Sequence, residues 1–139
     1  MIQTNEAENK ELIQRLCTSK HPSIRLWMQH GGFHAGDDTS DEIQHSIRED
    51  EIVKRLLSER DPNGRIDRFP YEKWVGAHWI LNLLAELNYP MQDDGLIPLR
   101  EQVFQWIFSD EVRIKQTPII NGLYRRHASQ EGNLLISLI

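Results

Sequence analysis

The chain has 139 residues and a formal net charge of −5, with 27% charged and 39% hydrophobic residues. That length suits one domain burying roughly two-thirds of its unfolded surface. An acidic balance argues against a nucleic-acid partner, whose footprint is a basic face; the tight basic pair beside an aromatic is Arg125–Arg126, after Tyr124. The single cysteine, Cys17, excludes an internal disulfide and suits a reducing, cytoplasmic setting as a half-buried structural thiol. The opening MIQTNEAENK has no apolar run of the signal-peptide kind, and no stretch approaches ~18 consecutive apolar residues, so no membrane span is expected.

In chain order, residues 1–21 read as a polar lead and a short helix with Leu12, Ile13 and Leu16 as its stripe. Pro22-Ser23 restarts the chain into a helix from Ile24 to about His30, and Gly31-Gly32 ends it. The following loop holds Asp37, Asp38 and Asp41 in a D-D-x-x-D pattern. Such clustered hard oxygens are what magnesium needs, and class I isoprenoid synthases use the same pattern on a diphosphate. Capping is the preferred reading: Thr39 or Ser40, followed by Glu42 and Ile43, suits a helix start. No metal or other cofactor is expected.

One helix is expected from Asp41 to Ser58, with Ile43, Ile47, Ile52, Val53, Leu56 and Leu57 on its apolar face and His45 exposed. Asp61-Pro62-Asn63-Gly64 reads as a turn. Its acidic residues fall two positions short of a calcium-binding loop and lack the closing Glu. The central element is Pro70 to Pro90, expected to be helical over 71–88 between its two prolines. At ~100° per residue its apolar positions cover about half of the circumference, wider than a surface helix needs. Gly76 and Ala77 are small enough to let a neighbouring helix approach. His78, Asn82 and Glu86 form one row at i, i+4 and i+8, beside Trp79. That row is either a solvated polar stripe or the wall of a ligand cavity. Pro98 opens a helix through Phe108, residues 109–126 are irregular with a short turn near 117–122, and a last helix begins near His127 or Ala128.

Asn82-Leu83-Leu84-Ala85-Glu86-Leu87 and Asn133-Leu134-Leu135-Ile136-Ser137-Leu138 are both N-L-L-x-x-L, offset by 51 residues. The helix near 24–30 precedes the central one by about 50 residues, and more charged helices lie between. Apolar helices alternating with half-wet ones predict an all-α fold of α/α helical-hairpin repeats. The expected form is a partial toroid-like or solenoid-like layer of about five to six helices, in a single domain with about two and a half repeats over 22–139.

Trp74-Val75-Gly76-Ala77-His78-Trp79, Leu84-Ala85-Glu86-Leu87-Asn88-Tyr89-Pro90 and Arg126-His127-Ala128-Ser129-Gln130-Glu131-Gly132-Asn133 resemble bacterial members of the α/α toroid superfamily, which holds squalene and hopene cyclases and protein prenyltransferases. The turn Asp61 to Ile66 is similar to the Gly-containing turn of its repeats. The resemblance implies an aromatic-lined cavity for a long apolar or isoprenoid ligand, with Trp27, Trp74, Trp79 and Trp106 as walls. It implies His78 or His127 as candidate catalytic groups, and His78, Trp79, Asn82 and Glu86 as candidate ligand-binding residues. The acidic D-x-D-D motif of the cyclases and the Asp…Cys…His zinc set of the prenyltransferases are absent. The chain is therefore expected to be a terpenoid cyclase- or prenyltransferase-like protein that is not catalytic by itself. It would be an N-terminal piece of a longer protein, or a subunit whose C-terminal edge is covered by another copy. The alternative is a non-catalytic helical-repeat module that binds a protein or peptide.

Overall fold

The computed structural model describes residues 6–34, 36–115, 117–124 and 128–137. Seven α-helices carry these residues: α1 (Glu6–Cys17), α2 (Pro22–His30), α3 (Ser40–Ile47), α4 (Glu51–Leu57), α5 (Ala77–Glu86), α6 (Ile97–Ile107) and α7 (Ala128–Ser137). The extended structure among them is one hairpin, β1 (Ile119–Ile120) and β2 (Leu123–Tyr124), and an isolated bridge between Arg60 and Ile66. The chain is thus mostly helical, as the periodicity predicts. No helix of the described residues is long and apolar enough to cross a membrane.

Local chemistry sets the boundaries. Pro22 lies in the first turn of α2, and Gly32 takes φ 83° just past its end, where Phe33 N–H donates to the Met28 carbonyl at 2.9 Å. Thr39 caps α3 through a reciprocal box: its hydroxyl accepts from Glu42 N–H, and the Glu42 carboxylate accepts from Thr39 N–H at 2.8 Å. The bond from Thr39 N–H first, and one from the Thr39 hydroxyl to the same carboxylate oxygen at 2.9 Å second, hold the Glu42 carboxyl below its usual pKa.

Two expected helices are corrected. The single helix over 41–58 is two, α3 and α4, because Asp50 interrupts it. Asp50 Oδ1 accepts from Ile52 N–H at 2.8 Å, a side-chain bond that restarts the helix at Glu51. The central helix begins at Ala77, six residues later than the expected 71. Residues 69–76 coil tightly instead: Glu72 N–H donates to the Phe69 carbonyl, Gly76 N–H to the Glu72 carbonyl, and His78 N–H reaches back to the Pro70 carbonyl at 3.0 Å. What comes close at Gly76 is the backbone of Phe69 and Pro70, where a helix was expected. At the other end the helix stops at Glu86; Asn88 takes φ 55° and Pro90 follows.

The Asp61–Gly64 turn forms as read. Asp61 Oδ1 accepts from both Asn63 and Arg65 N–H at 2.9 Å, and Gly64 takes φ 78°. Gln102 of α6 then holds buried Ile66 by its backbone, accepting from the N–H at 3.1 Å and donating to the carbonyl at 2.6 Å. The expected irregular stretch has more order than that reading gives it. A π-helical turn spans Glu111–Lys115, and β1 pairs antiparallel with β2 across Asn121-Gly122. Both turn residues have positive φ (53° and 78°), the requirement of a two-residue hairpin.

Contacts divide the chain into two compact units. The first comprises the described residues up to Lys54 together with Leu87–Pro90. In it α1 packs on α2 and α2 on α3, and Cys17, Leu26, Ile43, Ile47 and Val53 are buried. Ser23 Oγ donates to the Leu87 carbonyl at 2.7 Å. The second comprises residues 55–86 and the described residues from Met91 onward. There α5 packs on both α6 and α7, with Ile80, Leu84, Leu99, Val103, Ile107 and Leu134 buried.

Candidate functional site

His78, in the first turn of α5, is 0% exposed. Its Nε2 lies 3.1 Å from the Gln130 carbonyl of α7. A carbonyl only accepts, so Nε2 carries the proton and Nδ1 holds the lone pair, 3.5 Å from the Asn82 side-chain amide. Asn82 Nδ2 also donates to the His78 carbonyl at 2.7 Å. Burial keeps the His78 pKa below the ordinary imidazole value, and the bond to Gln130 opposes that only in part. The side chain is therefore a neutral imidazole that pins α5 to α7.

Aromatic rings close around it. Tyr71 lies 5.0 Å from the His78 ring, 5.5 Å from Trp79 and 5.5 Å from Trp106, stacked on the last at 18°. Trp79 and Trp106 approach His78 edge-on at 5.6 and 5.9 Å. These are ordinary aromatic packing distances. Trp74 leans on Trp79 at 4.5 Å from the outer side and is itself 60% exposed. The indole N–H groups of Trp79 and Trp106 are buried without an acceptor.

The expected row is thus split by its surroundings. His78 and Asn82 are buried and bonded to each other, Trp79 is half-buried, and Glu86 is exposed at the end of α5. The row is neither a solvated stripe nor, at His78, an open wall. Of the four tryptophans, Trp79 and Trp106 join the cluster, Trp74 edges it, and Trp27 belongs to the first unit, where it is largely exposed. His127 lies outside the described residues. Asp37, Asp38 and Asp41 flank the Thr39 cap, and the Asp38 carbonyl accepts from Gln29 Nε2 at 2.8 Å. Among the described residues no group of three or more His, Cys, Asp or Glu side chains is placed to hold a metal ion.

Two features escaped the sequence reading. Tyr71, the hub of the cluster, stands first in the expected helix, where the apolar wheel assigns it no role; in the structure it precedes α5. The other is a cleft of about 310 Å³ in the first unit, between Lys20, His21 and Arg25 on one side and Ser46, Glu49, Asp50 and Glu51 on the other. His21 Nδ1 lies 3.2 Å from Asp50 Oδ2, and the Ser46 hydroxyl donates to the Ile43 carbonyl. The pairing joins residues 29 apart in sequence, so only the fold reveals it.

No family model, no curated protein and no solved structure matches this chain.

Proposed function

We propose that this chain is a non-catalytic helical module that binds a protein or peptide through apolar side chains of its second unit. One observation carries the reading. Aromatic rings pack around a fully buried His78, while large apolar side chains of the same unit are exposed: Trp74 is 60% exposed, Phe108 64%, Leu123 74% and Leu135 67%. Scattered exposed apolar residues are ordinary, but this many large ones in so small a unit suit a binding surface. Burying each against a partner would contribute about 1.5–3 kcal/mol before ordering costs.

The reading of an isoprenoid-binding α/α toroid relative draws on the same aromatics. In its favour, Tyr71, Trp79 and Trp106 do gather around α5, and helices carrying the two N-L-L-x-x-L segments pack together. Against it, Tyr71, Trp79 and Trp106 pack against one another and against His78 at 5.0–5.9 Å between ring centroids. A helix-pair repeat remains compatible with the packing of α1 on α2 and of α5 on α6. A reducing, cytoplasmic setting fits the buried free thiol of Cys17.

Selection of random twelve-residue peptides displayed on phage tests the proposal. It predicts apolar-rich clones whose binding weakens at least about ten-fold in Phe108→Ser or Leu123→Ser, variants at exposed positions that leave the fold intact. Clones that bind both variants as tightly as the parent, or no saturable clone at all, would sink it.

A further inference from the structure

We propose that the first-unit cleft is a binding site for a small zwitterion, with the ligand's carboxylate on Arg25 and Lys20 and its ammonium on Glu49 and Glu51. Arg25 is half-buried, and its Nη1 donates to the Ser19 carbonyl at 2.7 Å. Its Nε is buried with no acceptor, and among the described residues no carboxylate lies within ion-pair distance of it. Arg25 is only half-buried, so part of its guanidinium stays within reach of the cleft, and a planar guanidinium is well matched to a carboxylate. Arg25 lines the cleft.

The facing wall is acidic, and its charges are spent elsewhere or unspent. Asp50 is committed to His21 and to the start of α4. Glu49 pairs with Lys54 at 2.8 Å, but both side chains are mostly exposed, so that pair is weak and exchangeable. Glu51 is exposed and takes no salt-bridge partner among the described residues. Apart from the His21–Asp50 pair, basic and acidic side chains therefore line the same space without pairing with each other. A cation or an anion alone satisfies one wall and is repelled by the other; a ligand carrying both charges satisfies both. The volume, about 310 Å³, stands at the lower end of small-molecule sites and suits an amino-acid-sized ligand. The His21–Asp50 pair ties the start of α2 to the start of α4 and so fixes the spacing of the two walls before any ligand arrives.

Amide chemical-shift titration of the full chain tests this at constant ionic strength. The probes are the ω-amino acids from β-alanine to 6-aminohexanoate, with butyrate and butylammonium as single-charge controls. One chain length should give saturable shifts confined to residues 19–26 and 46–52, with both controls about ten-fold weaker or worse. Arg25→Gln and Glu51→Gln should each weaken that ligand about ten-fold. Should Arg25→Gln lose its dispersed spectrum, Lys20→Gln and Glu51→Gln, both at exposed positions, carry the test. Equal affinity for the zwitterions and the controls, the absence of saturation, or undiminished binding by the folded variants would overturn the proposal.

Discussion

Gly76→Ala should destabilise the second unit by about 3 kcal/mol or more, read as a shift in the urea midpoint at unchanged m-value. A Cβ at this position would sit 2.4 Å from the Pro70 carbonyl oxygen and 2.5 Å from that of Phe69. Neither oxygen can move cheaply. The first accepts from His78 N–H and the second from Glu72 N–H, so both belong to the coil that starts α5. The ordinary gain from replacing glycine by alanine near a helix is too small to offset that overlap. The same substitution at Gly132 is the control. It lies within α7 and a Cβ there meets nothing within 4 Å, so Gly132→Ala should stabilise by about 0.4–1 kcal/mol. Two glycine-to-alanine changes in one unit should therefore move stability in opposite directions. Equal effects would contradict the backbone contact at Gly76.

Replacing His78 should have the next largest effect, and it should carry a pH signature. His78→Ala opens a cavity among Tyr71, Trp79 and Trp106 and strips the Gln130 carbonyl of its donor, a loss of about 3 kcal/mol or more at neutral pH. His78→Phe keeps most of the ring volume but not the hydrogen bond and should lose about 1–3 kcal/mol. The folded pKa lies below the unfolded one, near 6.5. The unfolded chain therefore binds the extra proton first as pH falls. The His78 contribution is complete above about 6.5 and declines below it, down to the lowered folded pKa. Urea denaturation of the parent and of His78→Phe at pH 7.5 and 5.0 should show a steeper acid loss in the parent. Parallel losses would mean that His78 is protonated as readily folded as unfolded.

How much of this was legible depended on whether the cause lay along the chain or across it. Caps and turns are chain-local, so the Thr39 box, the Gly31-Gly32 stop and the Asp61–Gly64 turn could be read directly. Asn121-Gly122 carries an equally local hairpin signal; the expected short turn near 117–122 falls on it, without the two strands that positive φ at both positions allows. The start of α5 could not be read from periodicity. Trp74 and Val75 fit the apolar spacing of a helix, yet the coil from Phe69 to Gly76 wins through carbonyl contacts that only glycine permits. The split between α3 and α4 is similar: one aspartate offers the backbone a rival bond, and apolar spacing is blind to it.

The candidate row shows the same limit. The i, i+4 spacing put His78 and Asn82 on one face correctly, but what that face meets is decided by α7 and by Tyr71, neither of which a wheel can place. The His21–Asp50 pair and the unpartnered Arg25 Nε depend on α2 meeting the α3–α4 junction, which no local pattern encodes.

In the proposed function the second unit turns apolar side chains outward to a partner and its aromatic cluster takes no apolar ligand. Tryptophan fluorescence during titration with farnesol, beside a peptide selected as above, tests it most directly. The account predicts a saturable change with the peptide, lost in Leu123→Ser, and no saturable change with farnesol. A saturable farnesol response that survives Leu123→Ser and disappears in Trp79→Phe would contradict it and place an apolar ligand inside the cluster.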